Sequence, residues 1–299
     1  CLPTPVTFRI PNPQSLIPAP VVTRFAPAPT GYLHLGHVLN AMYVWEIARG
    51  SGPDARVLLR IEDHDRSRCR SEFEAALLED LAWLGFKADG EVTRQSERGV
   101  LYDRALDHLR RRGLVYACEC SRADIGSGAY PGTCRDKQLA EAPGLGIRVR
   151  LDRSVERFDD LRLGRQEQRP YEQCGDLLVR DRHGHWTYQF AVVVDDWLQG
   201  VNVVIRGEDL LDSTGRQIQL GRLLGRDEPP AFLHHELVMK TPTQKLSKSD
   251  GDTGVRDLRA KGWTAEEVID TTRRRAGLQP EPRAQSLSST GVRRRTSSR

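Results

Sequence analysis

Apolar runs of strand length alternate with segments of helical period along most of this chain, and no other feature restricts its fold so far. VVTRF (Val21 to Phe25) is stopped by Pro27 and Pro29, after which HLGHVLNAMYVWEIAR carries apolar residues at helical spacing. RVLLRIED reads as a buried strand ending in acids, and SEFEAALLEDLAWLGF as an amphipathic helix with Gly85 near its end. SERGVLYDRALDHLRRRG repeats the helix-then-glycine pattern. Strands that alternate with helices build a parallel, doubly wound α/β sheet, because each crossover helix returns the chain to the edge it left.

From Val115 to about Gln173 the alternation breaks into short polar pieces, including LGIRVRLD and DLRLGRQ, which read as an insertion between two halves of the sheet. It resumes in YQFAVVVDDWLQGVNVVIRGEDLL, read as two apolar strands, then in the helical STGRQIQLGRLLG and the strand-like AFLHHELVM. WTAEEVIDTTRRRAG is one more helix. The expected organisation is a disordered leader at 1–20, the first half of the sheet at 21–114 and the insertion at 115–175. The second half follows at 176–250, a helical segment at 251–280, and a disordered basic tail at 281–299.

With 38% hydrophobic and 29% charged residues, a chain of 299 residues can bury a core. No apolar run approaches the roughly 20 residues a membrane helix needs, so a cytoplasmic protein is expected. A net charge of +4 permits an anionic partner such as RNA without demanding one. Lysine is scarce, six against 39 arginines, yet Lys240, Lys245 and Lys248 fall within nine residues. A local choice of lysine suits a compact ammonium on a flexible stem. Cys118, Cys120 and Cys134 crowd together while the other three cysteines scatter, which fits a metal site in a reducing compartment better than a disulfide framework.

The first strand–helix junction carries HLGH. In an open parallel sheet the ligand crevice lies beyond the carboxyl ends of the strands, where a helix N-terminus offers backbone N–H groups to an anion. His34 and His37, three apart, put both imidazoles on one helical face, able to donate to a phosphoryl group whose charge rises during displacement. Gly36 keeps the surface between them open. Far along the chain, Lys245 and Lys248, interleaved with Ser247 and Ser249, form a polar loop able to close on a polyphosphate.

Together, TRFAPAPTGYLHLGH, LLRIEDHDRSR, AVVVDDWLQGVNVVIRGEDLL and KLSKS resemble, in order, the signature segments of class I aminoacyl-tRNA synthetases of the glutamyl branch, over Val21 to about Asp250. Fewer than fifty residues follow Asp250, too few for a helical anticodon-binding domain, so the resemblance is to the short glutamyl-queuosine tRNA(Asp) synthetases. It implies a class I Rossmann-like sheet split by a zinc-bearing insertion. It implies that glutamate and ATP, with Mg2+ held mostly by phosphates and water, give glutamyl-adenylate without tRNA. The glutamyl group then passes to queuosine in the anticodon stem-loop of tRNA(Asp), and the enzyme is expected to act as a monomer. Two other readings stay open: a glutamyl-tRNA synthetase charging the 3′ end of tRNA(Glu), and an RNA-binding paralogue without turnover.

The resemblance also assigns residues. His34, His37 and Lys248 would stabilise the adenylation transition state, with Gly36, Lys245 and Ser247 beside them in the ATP site. Arg24 would take the side-chain carboxylate of glutamate, with Phe25, Ala26, Pro27 and Ala28 lining the pocket. Glu62 would take the ammonium, and Tyr188 and Arg206, each at the end of a strand, complete the pocket. The family carries serine where this chain has Ala28, so a hydrogen bond worth about 0.5–1.5 kcal/mol is absent if relatives make it there. Cys118, Cys120 and Cys134 offer three thiolates to a tetrahedral ion, and the resemblance supplies Tyr130 as the fourth ligand. His183 and His185 lie far along the chain from the cluster. Asp63 and Asp65 are carboxylates near Glu62 with no metal assigned to them.

Overall fold

In the computed structural model, which describes residues 17–65, 68–241, 244–245 and 254–278, the chain opens with three βα units. These are β1 (Val22–Phe25), α1 (Leu35–Gly50), β2 (Arg56–Ile61), α2 (Ser71–Trp83), β3 (Thr93–Arg94) and α3 (Gly99–Arg111). β1, β2 and β3 pair in parallel, with Val22 opposite Arg56 and Arg60 opposite Thr93. Then come β4 (Val115–Cys118), α4 (Arg122–Ile125), β5 (Gly146–Val149), β6 (Glu156–Asp160), β7 (Gly164–Gln168), α5 (Pro170–Cys174) and β8 (Leu177–Arg180). The chain continues through α6 (Tyr188–Leu198), β9 (Val203–Gly207), α7 (Thr214–Leu224), β10 (Ala231–His235), β11 (Met239–Thr241) and β12 (Gln244–Lys245). It closes with α8 (Val255–Ala260) and α9 (Ala265–Arg275).

A second sheet has the order β7-β6-β10-β9, parallel except for β7. It meets the first edge to edge at β1 and β9. The Asn202 N–H donates to the Val22 carbonyl at 2.9 Å, and the Val22 N–H returns a bond to Asn202 Oδ1 at 2.7 Å. Connections run outward from this seam on both sides, from β1 to β2 and from β9 to β10. The seam is therefore the switch point at which an open sheet leaves a crevice beyond its strand ends. α1 is buried on nearly all sides, from Leu35 and Leu39 to Trp45 and Ile47, because it lies between the sheet and α9. Each such side chain contributes about 1.5–3 kcal/mol by leaving water.

Two expectations are corrected. YQFAVVVDDWL is the helix α6, not a strand, so Tyr188 stands at a helix start and not a strand end. A continuous apolar run cannot separate a buried strand from a buried helix, and this one is buried from Phe190 to Asp196. The span 115–175, read as wholly an insertion, divides between two sheets. β4 and β5 join β8 in a separate antiparallel sheet, while β6 and β7 belong to the main sheet beside β10. Of the leader expected to be disordered at 1–20, residues 1–16 lie outside the described residues, as does the whole tail expected at 281–299.

Candidate active site and metal cluster

His34 caps α1 with its own ring. The Gly36 N–H donates to His34 Nδ1 at 3.0 Å, and the His34 N–H donates to His37 Nδ1 at 3.1 Å, a reciprocal capping box built from two imidazoles. A ring nitrogen that accepts from a backbone N–H carries no proton, so the proton of each neutral imidazole sits on Nε2. Both rings are thereby set as Nε2–H donors at the mouth of the crevice, with centroids 4.0 Å apart. A Cβ on residue 36 would meet His34 Cε1 at 2.9 Å, so Gly36 is what lets that ring fold over the helix start. The chain after the lysine segment returns to the same place: Gly254 bridges His34, and the Val255 N–H donates to the Leu33 carbonyl at 2.8 Å.

Arg24 is buried near the end of β1. Its Nε donates to Asp196 Oδ1 at 3.0 Å and its Nη1 to the Ile205 carbonyl at 3.3 Å, which ties it to both α6 and β9. The same Asp196 oxygen takes Arg60 Nη1 at 2.7 Å, and Arg60 Nη2 reaches Glu62 at 3.3 Å. Arg60 is fully buried. Burial works against its charge, but Asp196, Glu62 and Asp195 outweigh it and hold it protonated. Burial also pushes Asp196 up, yet Arg24 and Arg60 keep it below the ordinary carboxylate range. Glu62 differs: burial raises it in spite of Arg60 and Arg24. A buried carboxylate so short of compensation is suited to an ammonium.

Tyr188 gathers the site. Burial raises its hydroxyl, and Arg206, Glu62, Arg24 and Asp196 all act on it, which places these charges around one space. Arg206 is held by His234, Gln217 and Thr214 through Nε, Nη1 and Nη2 at 3.0, 2.7 and 2.9 Å. Of the segment after Arg24, the Phe25 ring turns into the core against Trp45, 5.6 Å between centroids. The Pro27 carbonyl accepts the Glu62 N–H at 3.0 Å and fastens the loop of half-buried Ala26 and Ala28 to the end of β2.

Asp195 and Asp196 were missed in the sequence as site residues. Asp195 is fully buried and accepts from Gln95 at 2.9 Å, Arg98 at 2.6 Å and Tyr102 at 2.7 Å, joining α3 to α6. Two acids in an apolar run were the available signal, since an acid is rarely buried unless paired. Asp63 is bound to Ser96 through both its oxygens, at 2.8 and 2.5 Å, which joins the end of β2 to the segment after β3. Of the lysine segment, Lys245 is described only as backbone, in β12 opposite Met239, while Ser247 and Lys248 lie outside the described residues.

The cysteines converge. The sulfurs of Cys118, Cys120 and Cys134 lie within 4.8 Å of one another, and Cys120 Sγ and Cys134 Sγ are 3.5 Å apart. Tyr130 Oη is 3.5 Å from Cys118 Sγ and accepts the Cys134 N–H at 2.8 Å, so the fourth donor stands beside the three thiols. His183 and His185 are exposed on a separate turn, where the Asp181 carboxylate takes both their N–H groups at 2.8 Å. Arg148 donates to Cys118 Sγ at 3.3 Å and lies over the Tyr130 ring at 3.7 Å. Burial pushes Cys118 up, but the bonds from Tyr130 and Arg148 bring it below the ordinary thiol value. Cys120 is pushed up to about 11 by burial, Cys134 and Cys118, as expected where thiolates crowd without a cation. Three sulfurs and a phenol oxygen make a four-donor set suited to a borderline-soft divalent ion. Gly175, at φ 66°, is what admits Tyr130: a Cβ there would meet the Tyr130 carbonyl oxygen at 2.1 Å.

The family described as tRNA synthetases class I (E and Q), catalytic domain, matches residues 20–128 and 133–298. A glutamyl-Q tRNA(Asp) synthetase of Rhodobacter capsulatus is 40% identical over 275 residues, covering 83% of this chain and 98% of the relative. A relative of the same name from Nocardia farcinica is 38% identical, covering 87% of this chain and 86% of its own. Among solved structures, a glutamate tRNA ligase from Elizabethkingia meningosepticum, in complex with its amino acid, is similar with a TM-score of 0.68 and 30% identity. That match covers 78% of this chain and 52% of the ligase, so the chain spans about half the ligase's length. Among the described residues, no helix is long and apolar enough to cross a membrane.

Proposed function

The chain belongs to the glutamyl-Q tRNA(Asp) synthetases, a family of class I tRNA synthetases, and from that premise we propose that it activates L-glutamate with ATP without tRNA and transfers it to queuosine at the wobble position of tRNA(Asp). The observation that carries this reading is the gathering of Arg24, Glu62, Tyr188 and Arg206 around one space at the sheet's switch point. Two cations and one under-compensated carboxylate match a dicarboxylate with one ammonium. Arg24 takes the side-chain carboxylate, Glu62 the ammonium, and Tyr188 and Arg206 complete the pocket, while Ala26, Pro27 and Ala28 line it.

In activation, an oxygen of the substrate α-carboxylate attacks the α-phosphorus of ATP in line and pyrophosphate departs. The protein positions the reactants and stabilises charge, and no protein nucleophile is needed. The Nε2–H groups of His34 and His37 donate to the phosphoryl oxygens as their charge grows. Lys245 and Lys248 neutralise the departing end, with Ser247 beside them in the ATP site. Magnesium, when bound to the triphosphate, supplies further charge neutralisation. Cys118, Cys120, Cys134 and Tyr130 hold one zinc ion, whose part is to pin the small sheet β4-β5-β8. The protein acts as a cytoplasmic monomer, and the anticodon stem-loop of tRNA(Asp) docks on arginine-bearing surface by shape and phosphate contact.

The test is transfer of labelled glutamate to tRNA(Asp) with and without queuosine, beside full-length tRNA(Glu). Label on queuosine-containing tRNA(Asp) alone is the expected result. Label on tRNA(Glu) in its place would refute the reading.

A further inference from the structure

Behind Arg206 stand two buried side chains that the chemistry above does not use. Asp160 at the end of β6, His234 on β10 and Arg206 on β9 are 2%, 0% and 3% exposed. Asp160 Oδ2 accepts from His234 Nδ1 at 2.7 Å and from the His234 backbone N–H at 3.0 Å. Its other oxygen accepts the N–H groups of Arg162 and Leu163 at 3.0 and 2.9 Å. A carboxylate fixed by three backbone donors claims the Nδ1 proton, so His234 Nε2 carries the lone pair. That nitrogen faces Arg206 Nε at 3.0 Å. Thr214 Oγ1, which takes Arg206 Nη2, lies 3.2 Å from the same imidazole nitrogen, so both grip one edge of the guanidinium, and Gln217 holds Nη1. Three of five N–H groups are then used. The remaining two, one on each terminal nitrogen, are left for Tyr188 and a ligand.

We propose that Asp160 and His234 are positioning residues for glutamate capture: they hold Arg206 by its Nε so that a terminal N–H meets a carboxylate, and capture requires a neutral His234. This rests on the assignment of Arg206 to the glutamate pocket. The charged groups that face His234 are Asp160 on β6, Arg162 in the following turn, which donates to the His234 carbonyl at 2.5 Å, and Arg206 on β9. α7 brings only the uncharged Thr214 and Gln217, and Phe232 of β10 stacks on the ring. Burial keeps the imidazole below its ordinary pKa against the Asp160 bond, with Arg206 and Arg162 adding to that effect. Once protonated, Nε2 becomes a donor facing a donor, and Arg206 must turn away from the ligand.

The experiment is glutamate-dependent exchange of pyrophosphate into ATP by the full chain, with separate KM values for glutamate and ATP between about pH 5 and about pH 8. The glutamate KM of the native protein is expected to rise as pH falls. H234A raises the glutamate KM about tenfold or more, the scale of a lost charge-assisted hydrogen bond, and leaves the ATP KM within about twofold. H234Q keeps an acceptor near Nε2 that does not titrate, so its glutamate KM rises less steeply in acid than the native one. Burial raises Glu62, but equally in both proteins, so the difference belongs to His234. An unchanged glutamate KM in H234A, or identical pH profiles for native protein and H234Q, would overturn the proposal. If R206K leaves the glutamate KM unchanged, the assignment of Arg206 fails and takes the proposal with it.

Discussion

At the scale of single residues, Asp196 decides where two arginines point. Asp196→Asn leaves Arg24 and Arg60 without their shared charge, and breaking a buried pair from one side costs on the order of 3–5 kcal/mol. Denaturant unfolding is expected to show a loss of that size, and exchange kinetics a glutamate KM raised more than the ATP KM. Gly36→Ala acts on the other half of the site. Its Cβ displaces the His34 ring from the helix start, and a cap is worth about 1 kcal/mol. Since one transition-state donor is worth on the order of 10²–10³ in rate, a kcat for exchange reduced tenfold or more, with little change in either KM, is the expected outcome. His34 and His37 were marked in the sequence by their place at the first strand–helix junction, whereas Arg24, Glu62 and Arg206 were assigned through the family resemblance and not by any local spacing. Asp160, Asp196 and His234 were not legible, because their roles depend on partners 28 to 172 residues away, and no local spacing encodes that.

At the scale of elements, the cysteine cluster and the α2–α8 contact each carry an expectation. The small sheet β4-β5-β8 buries little beyond what the main body covers, so it depends on its cross-link. Removing metal with a chelator, or introducing Gly175→Ala, is expected to open the segment between Cys118 and Cys134 to limited proteolysis. Zinc analysis of the native protein should return one ion. On α2, Asp80 is buried, and neither of its oxygens has a hydrogen-bond partner among the described residues, while neighbouring Glu79 grips Arg256 and Arg259 of α8. Burial pushes Asp80 up to about 6, against Arg256. A carboxyl whose folded pKa is raised weakens the fold above that pKa, and the penalty fades as pH falls through it toward the unfolded value. Asp80→Asn should therefore stabilise the protein at pH 7.5 by on the order of 1–3 kcal/mol, with the gain shrinking below about pH 6. α6 was illegible for a different reason: the apolar run from Phe190 to Val194 satisfies a buried strand and a buried helix alike, and only the packing of Phe190 and Val194 against α3 and α7 selects the helix.

At the scale of the molecule, two half-sheets meet at β1 and β9 and leave their carboxyl ends open on one crevice, into which both halves send charge. Arg24 and Glu62 come from one half and Arg206 and Tyr188 from the other, so the proposed glutamate pocket draws on both halves. The alternating pattern revealed the doubly wound class and both halves. It did not reveal that β6 and β7 return to the main sheet, because five-residue polar strands carry too weak a period to be assigned a partner. The claim on which the account turns is that this crevice activates glutamate by itself. Exchange of labelled pyrophosphate into ATP, measured with glutamate and no tRNA and with aspartate and glutamine as controls, tests it most directly. The account expects exchange with glutamate alone. Exchange that begins only when tRNA(Glu) is added, or none from folded, zinc-loaded protein, would contradict it.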